Sequence, residues 1–320
     1  RFPRGTCSNC MTDSGVSVFW HRRDLRTVDN QGLAEAARTG SVVPVVVLDP
    51  ALLDFAGEKR QAFFLASLAS LQRTYRSLGT DLSVLTGDPR EEIPQFAETN
   101  GATRVVWNRD YSKVARDRDE AVNESLKGDV SVTETPNMTL HEPGSILTSN
   151  GEHYSVFSYY YKKWADRERK APADQPDETA FLDETADAVT DITTVPMDSL
   201  PLPAGRQAAR DRLSRFLDGP IFEYDDKRDR PAADGTSRIS QDLAFGLLGI
   251  REVLNWVDEA ELRAANGAER DSVEAYRRQI AWRDFYIQVL AAHPETVTEN
   301  FQSFENPIEW RENAAHLAAW

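Results

Sequence analysis

The run Tyr276-Arg277-Arg278-Gln279-Ile280-Ala281-Trp282-Arg283-Asp284-Phe285-Tyr286 holds the densest set of groups able to do chemistry in this chain, and it contains no Gly or Pro. Wound as an α-helix, i, i+3, i+4 spacing puts Tyr276, Gln279, Trp282, Arg283 and Tyr286 on one face and sends Ile280, Ala281, Phe285 and Val289 elsewhere. An indole beside a guanidinium fork suits a flat, charged ligand such as a nucleobase or a flavin, held by stacking and charge-assisted hydrogen bonds. The same pattern also suits a packing helix with Trp as filler and Arg in surface ion pairs. A second candidate is Trp20-His21-Arg22-Arg23-Asp24-Leu25-Arg26-Thr27-Val28-Asp29-Asn30. It is equally open to a plain reading, an internal salt-bridge cluster in which Asp29 or Asn30 caps the next helix. The third is Glu223 to Asp229 followed by Gly235-Thr236-Ser237-Arg238-Ile239-Ser240, which leads into a helical pattern. Hydroxyls and backbone N–H groups at a helix start, with an Arg beside them, fit a diphosphate; a plain N-cap uses the same residue types.

Two kinds of element must position these residues. Five short β-type runs, 16–20, 42–48, 82–85, 104–107 and 130–133, alternate with helical stretches near 32–38, 59–78, 90–99 and 115–126. That alternation predicts a parallel sheet with helices on both faces, a Rossmann-like α/β domain. No GxGxxG follows the first strand, which argues against an ordinary dinucleotide site. Ligands of such sheets gather at the carboxyl ends of strands, where His21 to Arg26, Asp49, Asn108 and Asp110 fall. From Pro136 the pattern breaks, and residues 170–203, rich in Asp, Pro, Thr and Ala, read as a connection. Past Ala204 the strand signals vanish and helices are expected over 205–217, 240–248, 251–263 and 272–292.

The chain has 320 residues, 40% of them hydrophobic, enough to bury a full core in two domains. It has no run of 18 apolar residues and no secretion-signal pattern, so a cytoplasmic protein without a membrane partner is the expectation. Net charge is -15, and only seven of the 37 Lys and Arg residues are lysine, a composition that fits a high-salt cytoplasm. Such a charge argues against nucleic acid as a partner unless a local patch, stacking and shape carry the affinity. Cys7 and Cys10 form a single CxxC with no second pair, which is weak grounds for a metal or redox site. Met11 reads as the true start, with residues 1–15 a disordered extension.

The order W-x-R-x-D-L-R-x-x-D-N resembles the opening signature of the DNA photolyase and cryptochrome family. The Tyr224…Thr236-Ser237-Arg238-x-Ser240 segment and the Ala281-Trp282-Arg283-Asp284-Phe285-Tyr286 helix resemble the same family, in the same order. The likeness covers nearly all of 16–320, and on it the chain is identified as a member, most similar to microbial, halophilic enzymes that repair cyclobutane pyrimidine dimers. It implies an α/β antenna domain over 16–140, an interdomain linker over 141–204 and the N-terminal part of an all-α FAD-binding domain over 205–320.

By that resemblance Tyr224, Thr236, Ser237, Arg238, Ile239 and Ser240 contact the FAD phosphates and ribityl chain, Tyr276 lies against the flavin, and Arg283 is a flavin-side arginine. Trp282 would stack on the flipped-out dimer, Gln279 would hydrogen-bond its edge, and Arg228 would hold a DNA phosphate. Gln279 stands where many dimer-repair members carry Glu, and glutamine is usual in (6-4) photolyases and animal cryptochromes. An amide still offers the thymine edge a donor and an acceptor. The activity implied is light-driven repair of UV-damaged DNA by a monomer, through an electron passed from excited reduced FAD. The alternatives are a (6-4) photolyase and a cryptochrome photoreceptor, and a third is a nucleotide-binding domain with an unrelated helical partner. A second chromophore, methenyltetrahydrofolate or 8-hydroxy-5-deazaflavin, is common in the family, with Asp49, Asn108 and Asp110 as its candidate contacts. Relatives continue past the position of Trp320 with more of the flavin cradle, so the 320 residues alone are expected to bind FAD weakly and to be inactive.

Overall fold

A computed structural model describes residues 15–38, 40–126, 128, 130–182, 192, 200, 202–301 and 311–319. The Cys7–Cys10 pair, Met11 and nearly all of the N-terminal extension lie outside the described residues. Five strands, β1 (Gly15–His21), β2 (Gly40–Leu48), β3 (Ser83–Thr86), β4 (Ala102–Asn108) and β5 (Ser131–Thr135), form one parallel sheet in the order β3-β2-β1-β4-β5. The register sets Phe19 of β1 opposite Pro44 of β2 and Val106 of β4. The chain winds one way from β1 to β3, then crosses to the other side of β1 for β4. A crevice therefore opens at the carboxyl ends of β1 and β4, where an open α/β sheet takes its ligands. The signature 22–30 leaves β1 there.

Side chains alternate across the strands, as the two-residue period requires. Val18, Trp20, Val43, Val45, Val105 and Trp107 face a core closed by α4 (Pro89–Thr99) and α5 (Lys113–Ser125). Phe19, Val42, Val46 and Val106 face the other way, onto α1 (Gln31–Ala37) and α3 (Glu58–Ser77). That second core runs without a break into the helical half, through Leu213, Leu247, Val253, Val273 and Phe285. Between β2 and α3 lies the short α2 (Pro50–Phe55), started by Pro50 behind the Asp49 cap.

The stretch 141–204, read from sequence as linker, contains a helix, α6 (Phe157–Asp166). Its Phe157, Tyr160, Tyr161 and Trp164 are buried at i, i+3, i+4, i+7 spacing, and this apolar stripe is why the segment coils against the helical half. The helices beyond are α7 (Arg206–Leu217), α8 (Tyr224–Lys227), α9 (Ser240–Ala244), α10 (Ile250–Arg263), α11 (Gly267–Ala292) and α12 (Ala314–Ala319). The helix expected over 240–248 stops at Ala244 because Gly246 turns the chain with φ 65°. Among the described residues no helix is long and apolar enough to cross a membrane.

Candidate functional site: a cavity between α8, α9, α11 and the sheet edge

Tyr224 and Tyr276 pack edge-on at 5.2 Å, both against Phe216 of α7, and make the aromatic floor of a cavity of about 630 Å³. α8 is fixed there because the Ser272 hydroxyl accepts from Asp225 N–H (3.1 Å) and donates to the Ile221 carbonyl (2.9 Å). Tyr276 is 5% exposed, and burial pushes its phenol well above the usual range, so it stays a neutral group. Thr236, Ser237, Ile239 and Ser240 line the wall ahead of α9, with Leu243 and Ala244 behind them. Hydroxyls on one wall, aromatic and aliphatic surface on the floor and a volume within the range of cofactor pockets fit a molecule with a flat ring system and a diphosphate.

Along α11 the lining positions are Tyr276, Gln279, Ile280, Arg283, Tyr286, Ile287 and Leu290. Gln279 is exposed and Tyr286 is 62% exposed, so the cavity opens at this edge. The Arg283 guanidinium donates to the Met138 carbonyl (2.6 Å), and burial lowers its pKa against the pull of Asp284, 3.5 Å away. Fully buried Asp284 accepts from Trp164 Nε1 (3.1 Å) and Leu140 N–H (2.8 Å), tying α11 to α6 and to the loop after β5. Arg277 is turned onto α10, paired with Asp258 (3.0 Å), Glu261 (2.5 Å) and Glu274 (2.7 Å).

Trp282, expected on the same face, does not line the cavity, and Ile280, expected elsewhere, does. Each residue turns an α-helix by about 100°, which carries Trp282 a quarter-turn off Arg283. There it stacks face to face on Phe157 of α6, ring centres 3.7 Å apart, and on Tyr286 at 5.3 Å. Arg238 is also outside the lining. Its side chain is exposed and pairs with Asp234 (3.2 Å), while its backbone takes φ 51° and turns 236–240 along the wall. Arg228 pairs with Asp225 (3.2 Å) and sits over the Tyr224 ring (5.8 Å).

The three candidates at the strand ends separate. Asp49 is the cap of α2, accepting from Ala51 N–H (2.9 Å), and does not line the cavity. Asn108 is buried under the signature, where its amide donates to Asp24 and to Asn30 Oδ1 (2.7 Å) and its oxygen accepts from Gly32 N–H (2.9 Å). Asp110 does line the cavity, 3.6 Å from Arg23. Burial opposes its ionisation, but Arg23 and the Ser112 N–H outweigh that and hold its carboxyl below the usual range. Arg23, Tyr111, Ser112 and Met138 make a wall from the α/β half; Arg23 falls within the strand-end stretch picked out in the sequence, and Tyr111, Ser112 and Met138 were missed. Arg23 was visible in the signature, but nothing local said it would cross to a helix more than two hundred residues away.

Residues 17–178 match the DNA photolyase family. The chain is 42% identical to the deoxyribodipyrimidine photo-lyase of Halobacterium salinarum, over 95% of this chain and 67% of that protein. It superposes on a bacterial class III photolyase from Agrobacterium tumefaciens with a TM-score of 0.83, at 26% identity, over 96% of this chain and 65% of that one. An archaeal photolyase from Sulfolobus tokodaii, described with two FAD molecules and the implication of a novel light-harvesting cofactor, shares the fold with a TM-score of 0.76, at 22% identity over 95% and 66%. The chain thus spans about two thirds of the length of these relatives.

Proposed function

Because this chain belongs to the DNA photolyase family, we propose that its cavity is the site of light-driven repair of cyclobutane pyrimidine dimers in DNA, with FAD as the working cofactor. The observation that carries the reading is one lining that joins Tyr224, the hydroxyls of Thr236, Ser237 and Ser240, Tyr276, Gln279 and Arg283. Bound there in reduced form, FAD supplies the excited-state electron that opens the cyclobutane ring. The protein's part is binding and orientation. Thr236 to Ser240 offer hydroxyl and backbone donors to a diphosphate, Tyr276 and Tyr224 close one side against water, and Arg283 brings a cation to the opposite wall. Gln279 stands at the open edge, where its amide meets a base entering from DNA. Trp282 and Arg228, outside the cavity lining, are assigned to the DNA side, Trp282 to stacking on the flipped-out dimer and Arg228 to a phosphate contact.

A second, light-gathering chromophore is part of the same proposal, with Asp110 on the α/β half as its candidate contact and Arg23 beside it. Methenyltetrahydrofolate and 8-hydroxy-5-deazaflavin are the two chemistries proposed for it. Asn108 serves that site by fixing the signature, and Asp49 contributes only through α2.

The test is light-dependent loss of cyclobutane dimers from a UV-irradiated oligonucleotide, using protein expressed from its complete reading frame with its flavin reduced. Dimer loss only in light is the expected result. Bound flavin without dimer loss moves the assignment to the (6-4) lesion, and failure on both lesions leaves a photoreceptor.

A further inference from the structure

We propose that the signature segment Arg23 to Asp29 is a positioning clamp for the cavity wall built by α9, with Arg26 as its central residue. Three consecutive carbonyls at the end of α9 each accept from it. Ala244 takes Arg23 Nε (3.0 Å), Phe245 takes the Leu25 N–H (3.1 Å), and Gly246 takes Arg26 Nη1 (2.9 Å). The other edge of the Arg26 fork donates twice to the Asp29 carbonyl, at 3.1 and 2.6 Å. Asp29 in turn accepts on Oδ2 from the N–H groups of Arg251 and Glu252, both at 3.2 Å, at the start of α10.

Arg26 is 3% exposed and, among the described residues, no carboxylate stands within ion-pair distance of it. Its hydrogen bonds go to carbonyls on both sides of the domain boundary, so the salt-bridge cluster suggested by composition does not describe it. The approach is close enough to dictate two glycines. A β-carbon at Gly246 would collide with the Arg23 carbonyl, and one at Gly249 with the Asp29 carboxylate. From the far side Arg212 grips both oxygens of Asp242, at 3.0 and 3.1 Å. α9 is thereby held at both edges, and Ser240, Leu243 and Ala244, which line the cavity, go where the clamp puts them. Arg is required because only its planar fork can serve Asp29 and Gly246 together; a Lys ammonium at that reach serves one.

What fills the cavity rests on the flavin reading above, but the clamp does not. Arg26→Lys is compared with Ile93→Ala, which removes a fully buried side chain from the core on the other face of the sheet. With Arg26→Lys the flavin dissociation constant is expected to rise about tenfold and the fine structure of its blue absorption band to blur, while Ile93→Ala lowers the melting temperature and leaves both unchanged. Wild-type flavin affinity and spectrum in Arg26→Lys would overturn the clamp, as would equal changes in Ile93→Ala, the mark of a merely structural effect. Amide exchange in the unsubstituted protein gives a readout free of flavin and of any variant. Leu25, Leu247, Arg251 and Glu252 are expected to exchange as one cooperative set, and exchange of Leu25 far faster than Leu247 would show the clamp open. A protein expressed from the complete reading frame that takes up no flavin but protects these four amides together would sink the flavin reading and leave the clamp standing.

Discussion

The guanidinium of Arg238 points at Asp234 while the peptide of the same residue shapes the cavity wall, so side chain and backbone separate cleanly as experiments. Arg238→Gly keeps the left-handed turn, which Gly adopts at no steric cost, and deletes the guanidinium. Flavin affinity is expected to stay within about threefold of wild type, because nothing in the lining is lost. A fall of tenfold or more on titrating apo-protein with FAD would put the guanidinium on the cofactor after all. Sequence showed which residues gather here, but it gave side chains and main chain the same weight. Trp282 makes a similar point. Its spacing from Arg283 places it beside the cavity, and only the neighbouring Phe157, on a helix unread in the sequence, explains where the ring goes.

α6 holds that neighbour, and its pattern was legible in principle. Phe157, Tyr160, Tyr161 and Trp164 keep helical spacing, but with Tyr159 among them five aromatics fall in eight residues, three of them consecutive tyrosines, and the run hides the stripe. The five strands and the helices between them were easier, since Val-rich runs bounded by Gly, Asp and Asn alternate with longer amphipathic stretches. At its far end α6 offers a pH test. His141 donates from Nε2 to the Trp164 carbonyl (3.1 Å), and burial holds its imidazole down at about 4 against 6.5 when free, with Arg167, Arg251 and Arg169 pushing the same way against the carbonyl. The unfolded chain takes up this proton near 6.5 and the folded chain only near 4. Stability from this group is therefore complete above 6.5 and is lost as pH falls from there towards 4, by about 3 kcal/mol. Urea midpoints at pH 7.5 and 4.5 should differ less in His141→Gln than in wild type. An identical difference would mean that His141 ionises in the fold as it does in water.

Over the whole molecule the net charge of -15 acts at long range, while ion pairs that hold the helical half together, such as Arg206 with Glu252 (2.8 Å) and Arg212 with Asp242 (3.0 Å), are largely buried. Salt therefore screens the repulsion more than the attraction. Raising KCl from about 0.1 to 2 M should lift the melting temperature by roughly 5 °C. A flat or falling profile would show that the acidic surface costs the fold nothing. The two-layer plan of the α/β half was legible because each strand and helix signals locally. The joint between the halves was not, because its partners are 220 residues apart and one of them is a row of carbonyls, which every sequence has. That distance sets a schedule during synthesis. The loop after β1 leaves the ribosome early, with an Arg26 fork that has no Gly246 carbonyl to grip until roughly 10 to 40 s of further elongation have passed. Until then the sheet can form but its switch-point loop is unclosed, and the first domain to be made is the last to be finished.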